Sequence, residues 1–253
     1  MKLSNQVAMI TGAASGIGKA QALLFSKEGA KIIAADVQSE KLQETIQEII
    51  ANGGDAIGIT ADITDESSVK YLYEKSLEKY GAISILCNTA GIFDNLVLMS
   101  QSEYSYFKKI IEVNIEGTYL VTKYVTQNMV ANKYGVIVNM ASAAGLVGGG
   151  GGIAYTMTKH AIIGLTQQLN VEFGHAGIRA NAIAPGLIHT PMVEAFMVEG
   201  SPIMKTFDEI PAKRSGNVLD IAQTSLFLVS QDASYIYGAT IPVDGGLVST
   251  LRL

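Results

Sequence analysis

The chain has 253 residues, of which 48% are hydrophobic and 16% charged, and a formal net charge of −5 at neutral pH. That length supports a substantial core and fits one α/β domain better than two. Charges of both signs are scattered, so no basic stripe is available to hold phosphate backbones and nucleic acid is excluded as an expected partner; the single cysteine, Cys87, excludes an internal disulfide framework and fits a reducing compartment.

Residues 1–6 lack the basic start, apolar stretch and small-residue cleavage site of a secretory signal, so the expected location is the cytoplasm. Val7–Thr11 reads as a strand. Thr11-Gly-Ala-Ala-Ser-Gly-Ile-Gly18 follows it and opens a helix, and Gly12, Gly16 and Gly18 there let backbone N–H groups approach a pyrophosphate at the positive helix end. The spacing is G-x-x-x-G-x-G rather than G-x-G-x-x-G, and glycines also make ordinary tight turns; the strand and helix flanks favour nucleotide binding.

The next strand, Lys31–Val37, carries Asp36 near its end, 18 residues after Gly18. A carboxylate there accepts hydrogen bonds from adenosine ribose hydroxyls and repels a 2′-phosphate. Residues 13–15 contain no lysine or arginine and Val37-Gln38 follows, so no cation offsets that repulsion and NAD is expected over NADP. A solvated strand-end aspartate is the plainer alternative.

Strands are further expected at Ala56–Ala61, Ile83–Asn88, Val136–Ala141, Arg179–Ala184 and Thr240–Val243, alternating with helical patterns over 39–52, 66–80, 101–129, 154–174 and 218–231. Gly29, Gly53 and Gly174 are expected helix stops. Most strands lack period-two alternation, as in a parallel sheet covered on both faces. The expected fold is therefore a single Rossmann-type domain over 1–253, a doubly wound α/β sheet of about seven parallel strands with helices on both faces. Between Lys133 and Lys159 no residue is charged, but the seven glycines of that stretch make it a poor membrane span. Residues 189–217 break the rhythm with Met192, Phe196, Met197, Met204 and Phe207 among Pro191, Pro202 and Pro211, and an insertion of this length is often a substrate lid.

Tyr155 and Lys159 stand one helical turn apart. Positions i and i+4 share a helix face, so the ammonium is expected near the phenol. An opposite charge can lower a phenol's pKa by roughly 1 to 3 units from about 10, toward the range of a working acid or base. Ser142 ends the fifth strand, 13 residues before Tyr155, and a loop can fold both onto one carbonyl. Singly, a strand-end serine or a helical Tyr/Lys pair is usually structural; together they point to proton exchange. His160, His175 and His189 are scattered and offer no metal-ligand spacing, so no metal is expected. Ser142 sits in Met-Ala-Ser-Ala-Ala, without the G-x-S-x-G elbow of a serine hydrolase.

Gly148–Gly152, five consecutive glycines, form either a surface turn or a widened pocket beside the proton donor. Leu146, Val147, Leu187, Met192, Phe196 and Met197 are apolar and suit a neutral, partly apolar ketone or secondary alcohol. The candidate substrate contacts are Ser142, Ala144, Val147, Gly148, Tyr155, Leu187, Met192 and Phe196.

Taken in order, Thr11-Gly12-x-x-x-Gly16-x-Gly18, Asp62, Asn88-Thr-Ala-Gly91, Asn114, Ser142, Tyr155-x-x-x-Lys159, Pro185-Gly186 and Val243-Asp-Gly-Gly246 make a chain that resembles the short-chain dehydrogenase/reductase family from end to end. The resemblance implies cofactor contacts from Gly12, Ser15, Gly16, Ile17, Gly18, Asp36, Asp62 at the adenine amino group, Ile63, Asn88, Ala90, Gly91, Tyr155, Lys159, Pro185, Gly186, and Ile188 and Thr190 at the nicotinamide amide. It also implies that Ser142 orients the substrate oxygen, Tyr155 exchanges its proton, Lys159 binds nicotinamide ribose and lowers the tyrosine pKa, and Asn114 anchors a water relay. Thr89 departs from the family's second asparagine, keeping a hydroxyl but losing an amide. The implied function is NAD(H)-dependent interconversion of a secondary alcohol and a ketone, in a homotetramer. Within the family the alternative is a 3-oxoacyl-carrier-protein reductase, which needs a cationic docking surface; Lys123 and Lys133 lie in the relevant stretches, but Glu172-Phe-Gly-His175 lacks arginine. From another class, a catalytically idle dinucleotide sensor would use the same fold.

Overall fold

A computed structural model describes residues 1–194 and 210–249 of the chain. Strands β1 (Val7–Thr11), β2 (Lys31–Asp36), β3 (Ala56–Thr60), β4 (Ile85–Asn88), β5 (Gly135–Met140), β6 (Ile178–Pro185) and β7 (Thr240–Val243) form one sheet in the order β3-β2-β1-β4-β5-β6-β7. Every pairing is parallel. Helices α1 (Gly16–Lys27), α2 (Ser39–Ala51), α3 (Glu66–Tyr80), α4 (Tyr104–Ile111), α5 (Thr118–Asn132), α6 (Ile153–Phe173) and α7 (Val218–Val229) connect them.

The continuous apolar strands follow from two cores, one on each face. In β1, Ala8 and Ile10 join one cluster with Ala22 and Phe25 of α1, while Val7 and Met9 join the other with Leu72 of α3 and Val125 of α5. Successive strand side chains point to opposite faces, so a strand buried on both sides has no polar face to alternate with. Fully burying a side chain such as Phe25 contributes about 1.5–3 kcal/mol. Cys87 is fully buried in β4, and burial pushes its thiol well above the usual range, consistent with an inert core residue.

One sequence expectation shifts. The helix expected over 101–129 begins at Tyr104 and is interrupted by a π-helical stretch, Glu112–Gly117, before α5 runs on to Asn132. The interruption coincides with a bond pattern no helical periodicity encodes: Asn114 turns its amide to the backbone of Ile92. Gly29, Gly53 and Gly174 all stand at helix ends, the first two with positive φ; Gly174 closes α6 at φ −58 and leads into a short 3₁₀ turn, so the left-handed residue there is Gly177 at φ 80.

The strand order reverses between β1 and β4: the chain leaves β1 toward β2 and β3, then returns to β4 on the other side. The loops beyond the carboxyl ends of these two strands diverge and leave a crevice, the position where open α/β sheets bind ligands. Among the described residues no helix is long and apolar enough to cross a membrane, and no group of three or more His, Cys, Asp or Glu could hold a metal ion.

Candidate active site

The crevice encloses ≈ 440 Å³. It brings together Gly12, Ser15, Gly16, Ile17 and Gly18 after β1, Asp36 at the end of β2, Asp62 and Ile63 after β3, Ala90 and Gly91 after β4, Ser142 after β5, Pro185 at the end of β6 with Gly186, Ile188, Thr190 and Met192 after it, and Tyr155 and Lys159 from α6. A second cavity of ≈ 450 Å³ lies between Arg214, Asp220 and Val243–Gly245 and contains none of the proposed proton-transfer residues.

The glycine loop is built by contact between backbones. A Cβ on Gly12 would come within 2.9 Å of the Ala90 Cα, and one on Gly18 would overlap the Gly12 carbonyl oxygen. Thr11 braces this junction from below, its Oγ1 accepting from the Thr89 and Ala90 amides at 3.1 Å each. Asp36 lies at the rim with both oxygens engaged: Oδ2 accepts from the Ala14 amide at 3.0 Å and Oδ1 from the Gln38 amide at 2.9 Å. The carboxylate thus stays beside the glycine loop. Asp62 accepts from the Thr64 amide and hydroxyl, and those two bonds hold its carboxyl below the usual range.

Thr89, the departure from the family motif, has its own partner. Its hydroxyl donates to Oε1 of the buried Gln21 at 2.6 Å, and Gln21 donates in turn to Ser225 at 2.8 Å. The loop after β4 is thereby tied to α1 and α7. Asn88 is buried below the crevice rather than lining it; its amide donates to Thr122 and Asn139 at 2.9 and 2.8 Å.

At the other end of the crevice, Ser142 faces the Tyr155 phenol, and its hydrogen bond opposes the effect of burial there. Lys159 is 5% exposed, donates to the Met140 carbonyl at 2.7 Å, and holds its ammonium 5.3 Å from the centre of the Tyr155 ring. The ring also meets Phe93 edge-on, with centroids 5.0 Å apart.

The proximity of Tyr155 and Lys159 matches the helical spacing, but the expected direction of the phenol's shift does not hold. Tyr155 keeps some exposed surface, yet enclosure of its phenol pushes the pKa up to about 12. Burial lowers Lys159 to about 8. Desolvation disfavours both charged forms, and the Asp94 charge adds to the rise at Tyr155, so the phenol is protonated at neutral pH.

Asn114 is held on several sides. It is 2% exposed, and its side chain is committed to the Ile92 amide at 2.8 Å, the Ile92 carbonyl at 2.9 Å and the Thr158 hydroxyl at 3.2 Å. The amide braces the strand-end loop against α6, and the Asn114 carbonyl accepts from Thr118.

The substrate residues expected from sequence separate. Ser142, Tyr155 and Met192 line the crevice; Ala144 is fully buried, Val147 is 45% exposed, and a Cβ added to Gly148 would meet nothing within 4 Å; none of these three lines the crevice, nor does Leu187. Phe196, Met197, Met204 and Phe207, with most of the expected lid at 189–217, lie outside the described residues, as does the end of the tail at 250–253. The sequence reading passed over Phe93 and Asp94, which belong to no motif. Asp94 is 2% exposed and accepts from the Gly152 and Tyr155 amides at 2.8 Å each. A signal existed: α6 starts after a glycine run, with no side chain able to cap it.

A family model described as enoyl-(acyl carrier protein) reductase matches residues 12–248. The chain is 39% identical over 248 residues to the 3-oxoacyl-[acyl-carrier-protein] reductase FabG of Thermotoga maritima, covering 98% of this chain and 100% of that protein. The crystal structure of levodione reductase superposes with a TM-score of 0.93 at 35% identity, covering 98% of this chain and 100% of the other. That of 3-ketoacyl-(acyl-carrier-protein) reductase from Brucella melitensis, complexed with NADH, gives a TM-score of 0.90 at 34% identity, covering 97% and 99%.

Proposed function

The chain belongs to the short-chain dehydrogenase/reductase family of oxidoreductases, and from that premise we propose that it interconverts a neutral, partly apolar ketone and its secondary alcohol with NAD(H). The observation that carries this reading is the convergence of Ser142, Tyr155 and Lys159 at one end of a crevice whose other end is a glycine loop with an aspartate at its rim. The residues present fit a dinucleotide: Gly12 and Gly18 leave backbone where side chains would stand, and the loop leads into the N-terminus of α1. Asp36 beside Ala14 supplies acceptors for ribose hydroxyls and a charge that repels a 2′-phosphate.

When bound, the nicotinamide supplies the hydride. The protein's part is the proton. Tyr155, protonated at neutral pH with its pKa up at about 12, donates to the ketone oxygen as charge develops there. The Ser142 hydroxyl holds that oxygen against the phenol. Lys159, fixed on the Met140 carbonyl, brings a cation within 5.3 Å of the ring and favours the phenolate left behind.

The test is Tyr155→Phe. It is expected to bind NADH as the wild type does and to lose about 10²–10⁴-fold in kcat for ketone reduction; a variant with wild-type kcat overturns the reading. If the wild type binds NADH but consumes none across a broad ketone panel, a dinucleotide sensor is supported instead. NADPH used a hundredfold better than NADH would remove the role given to Asp36.

The 39% identity with a 3-oxoacyl-[acyl-carrier-protein] reductase favours one second reading, in which the ketone is a β-ketoacyl chain on a carrier protein. Faster turnover of carrier-bound β-ketones than of simple ketones would place it first.

A further inference from the structure

Helix α6 carries both Tyr155 and Lys159, yet nothing in its own sequence secures its start. Gly152 occupies the N-cap position, no side chain caps the helix, and its first turn has no acidic residue. A helix start leaves backbone N–H groups without intrahelical partners and a partial positive charge. The missing acceptor comes from another part of the chain. Asp94, 58 residues before Gly152, directs its carboxylate at this turn, Oδ1 accepting from the Gly152 amide at 2.8 Å and Oδ2 from the Tyr155 amide at 2.8 Å.

We infer that Asp94 is a positioning residue for proton transfer, capping the first turn of α6 from outside the helix and thereby fixing the backbone that carries the Tyr155 phenol; this rests on the reading of Tyr155 as the proton donor. The surrounding structure is specific to that contact. The two residues after Asp94, Asn95 and Leu96, both have left-handed backbones, φ 55 and 59, a conformation uncommon for non-glycine residues and often stored at functional sites. That turn is anchored to α4, where the Tyr106 hydroxyl accepts from the Asn95 side-chain Nδ2 at 3.1 Å and donates to the Phe93 carbonyl at 3.4 Å. Gly152 makes the approach possible, because a Cβ there would stand 2.6 Å from Asp94 Oδ2. Among the described residues no cation forms a salt bridge with Asp94, so its carboxylate is balanced by the two helix amides and by the Leu96 amide, which donates to Oδ1 at 3.3 Å. One short segment therefore holds the donor twice, through Asp94 on its backbone amide and Phe93 edge-on to its ring.

The groups that act on the Tyr155 phenol are the Lys159 ammonium from α6, the Ser142 hydroxyl after β5 and, through its charge from the backbone side, the Asp94 carboxylate of the loop after β4. The carboxylate charge raises the phenol's pKa. Removing it lowers that pKa, so the acid limb of alcohol oxidation with NAD, which needs the phenolate, moves to lower pH.

The experiment compares wild type, Tyr155→Phe, Asp94→Asn, Asp94→Ala, Gly152→Ala and the Asp94→Ala/Gly152→Ala double variant, measuring kcat for reduction, NADH affinity, Tm and the pH profile of oxidation. Asp94→Asn is nearly isosteric but replaces one acceptor by a donor facing an N–H group. It is expected to lose about 10–100-fold in kcat, to keep NADH affinity, and to shift the acid limb downward. Gly152→Ala is expected to mimic the kcat loss by expelling the carboxylate, and to add little in the Asp94→Ala background, since both act through one contact. An unmoved acid limb with kcat, NADH affinity and Tm falling together, or additive Gly152 and Asp94 effects, overturns the inference. Should Asp94→Ala fail to fold, the near-isosteric Asp94→Asn and Gly152→Ala decide by the same limb and by the split between kcat and NADH affinity. If instead Tyr155→Phe turns over like wild type, the functional reading itself fails, whatever the Asp94 variants do.

Discussion

The chain contains two glycine-rich segments, 12–18 lining the crevice and 148–152 leading into the helix that carries Tyr155, and they use glycine for different ends. In the first, the absent side chains let backbone meet backbone: Gly12 against Ala90 and Gly18 against Gly12 itself. The second divides. Gly148 and Gly149 have no atom within 4 Å of a would-be Cβ, whereas Gly150 presses on Ala144, Gly151 on the Tyr155 ring and Gly152 on Asp94. Room for a ligand and room for the protein's own groups give the same sequence signal, and only the neighbours tell them apart.

Substitution can break this comparison at either segment. The largest effect is expected at Gly18→Ala, because the Gly12 carbonyl it would overlap is backbone in a tight turn, where Gly12 itself has φ 69. Overpacking of this kind costs about 1–3 kcal/mol, to be seen as a lowered Tm. NADH affinity, measured by fluorescence titration, is expected to fall about tenfold or more, since each 1.4 kcal/mol is a factor of ten. Full affinity in this variant would mean that the loop does not cradle the cofactor.

Next in size comes Gly151→Ala. Its Cβ would stand 2.6 Å from Tyr155 Cδ1, and a ring can swing where a backbone cannot. The strain is therefore relieved by moving the phenol away from Ser142. The expected result is a loss of roughly 10–100-fold in kcat with NADH affinity and Tm nearly unchanged. Equal losses in all three would assign Gly151 to the fold, like Gly18.

How far such differences could be read in advance depended on what each residue answers to. The strands and their alternation with helices as βαβ units were legible because burial on both faces leaves β1 apolar from Val7 to Ile10, a local pattern. The meeting of Tyr155 and Lys159 was legible because helical spacing alone puts them on one face. Their protonation was not, since enclosure is set by chain segments far apart: burial moves the phenol up to about 12, against the expectation from charge alone. The break in the helix expected over 101–129 was hidden for a similar reason, because Asn114 pairs with the backbone of Ile92, 22 residues earlier. Asp94 left only a negative trace, a helix start without a cap.

The smallest and most selective effect is expected at the open end of the second segment. Gly149→Val is a poor probe there, because Gly149 has φ 98 and a β-branched side chain would add backbone strain to any steric effect. Gly148 carries no such constraint and no neighbour. Gly148→Val should thus leave Tm within about a degree, as surface changes away from special features usually stay within about 0.5 kcal/mol. If this end of the loop borders the substrate, the variant lowers kcat/KM for a bulky ketone relative to a small one by about tenfold, the scale of a single methylene's worth of fit. An unchanged ratio would confine the glycine run to its inner role, three close approaches that seat Tyr155, with the outer pair serving as a plain surface turn.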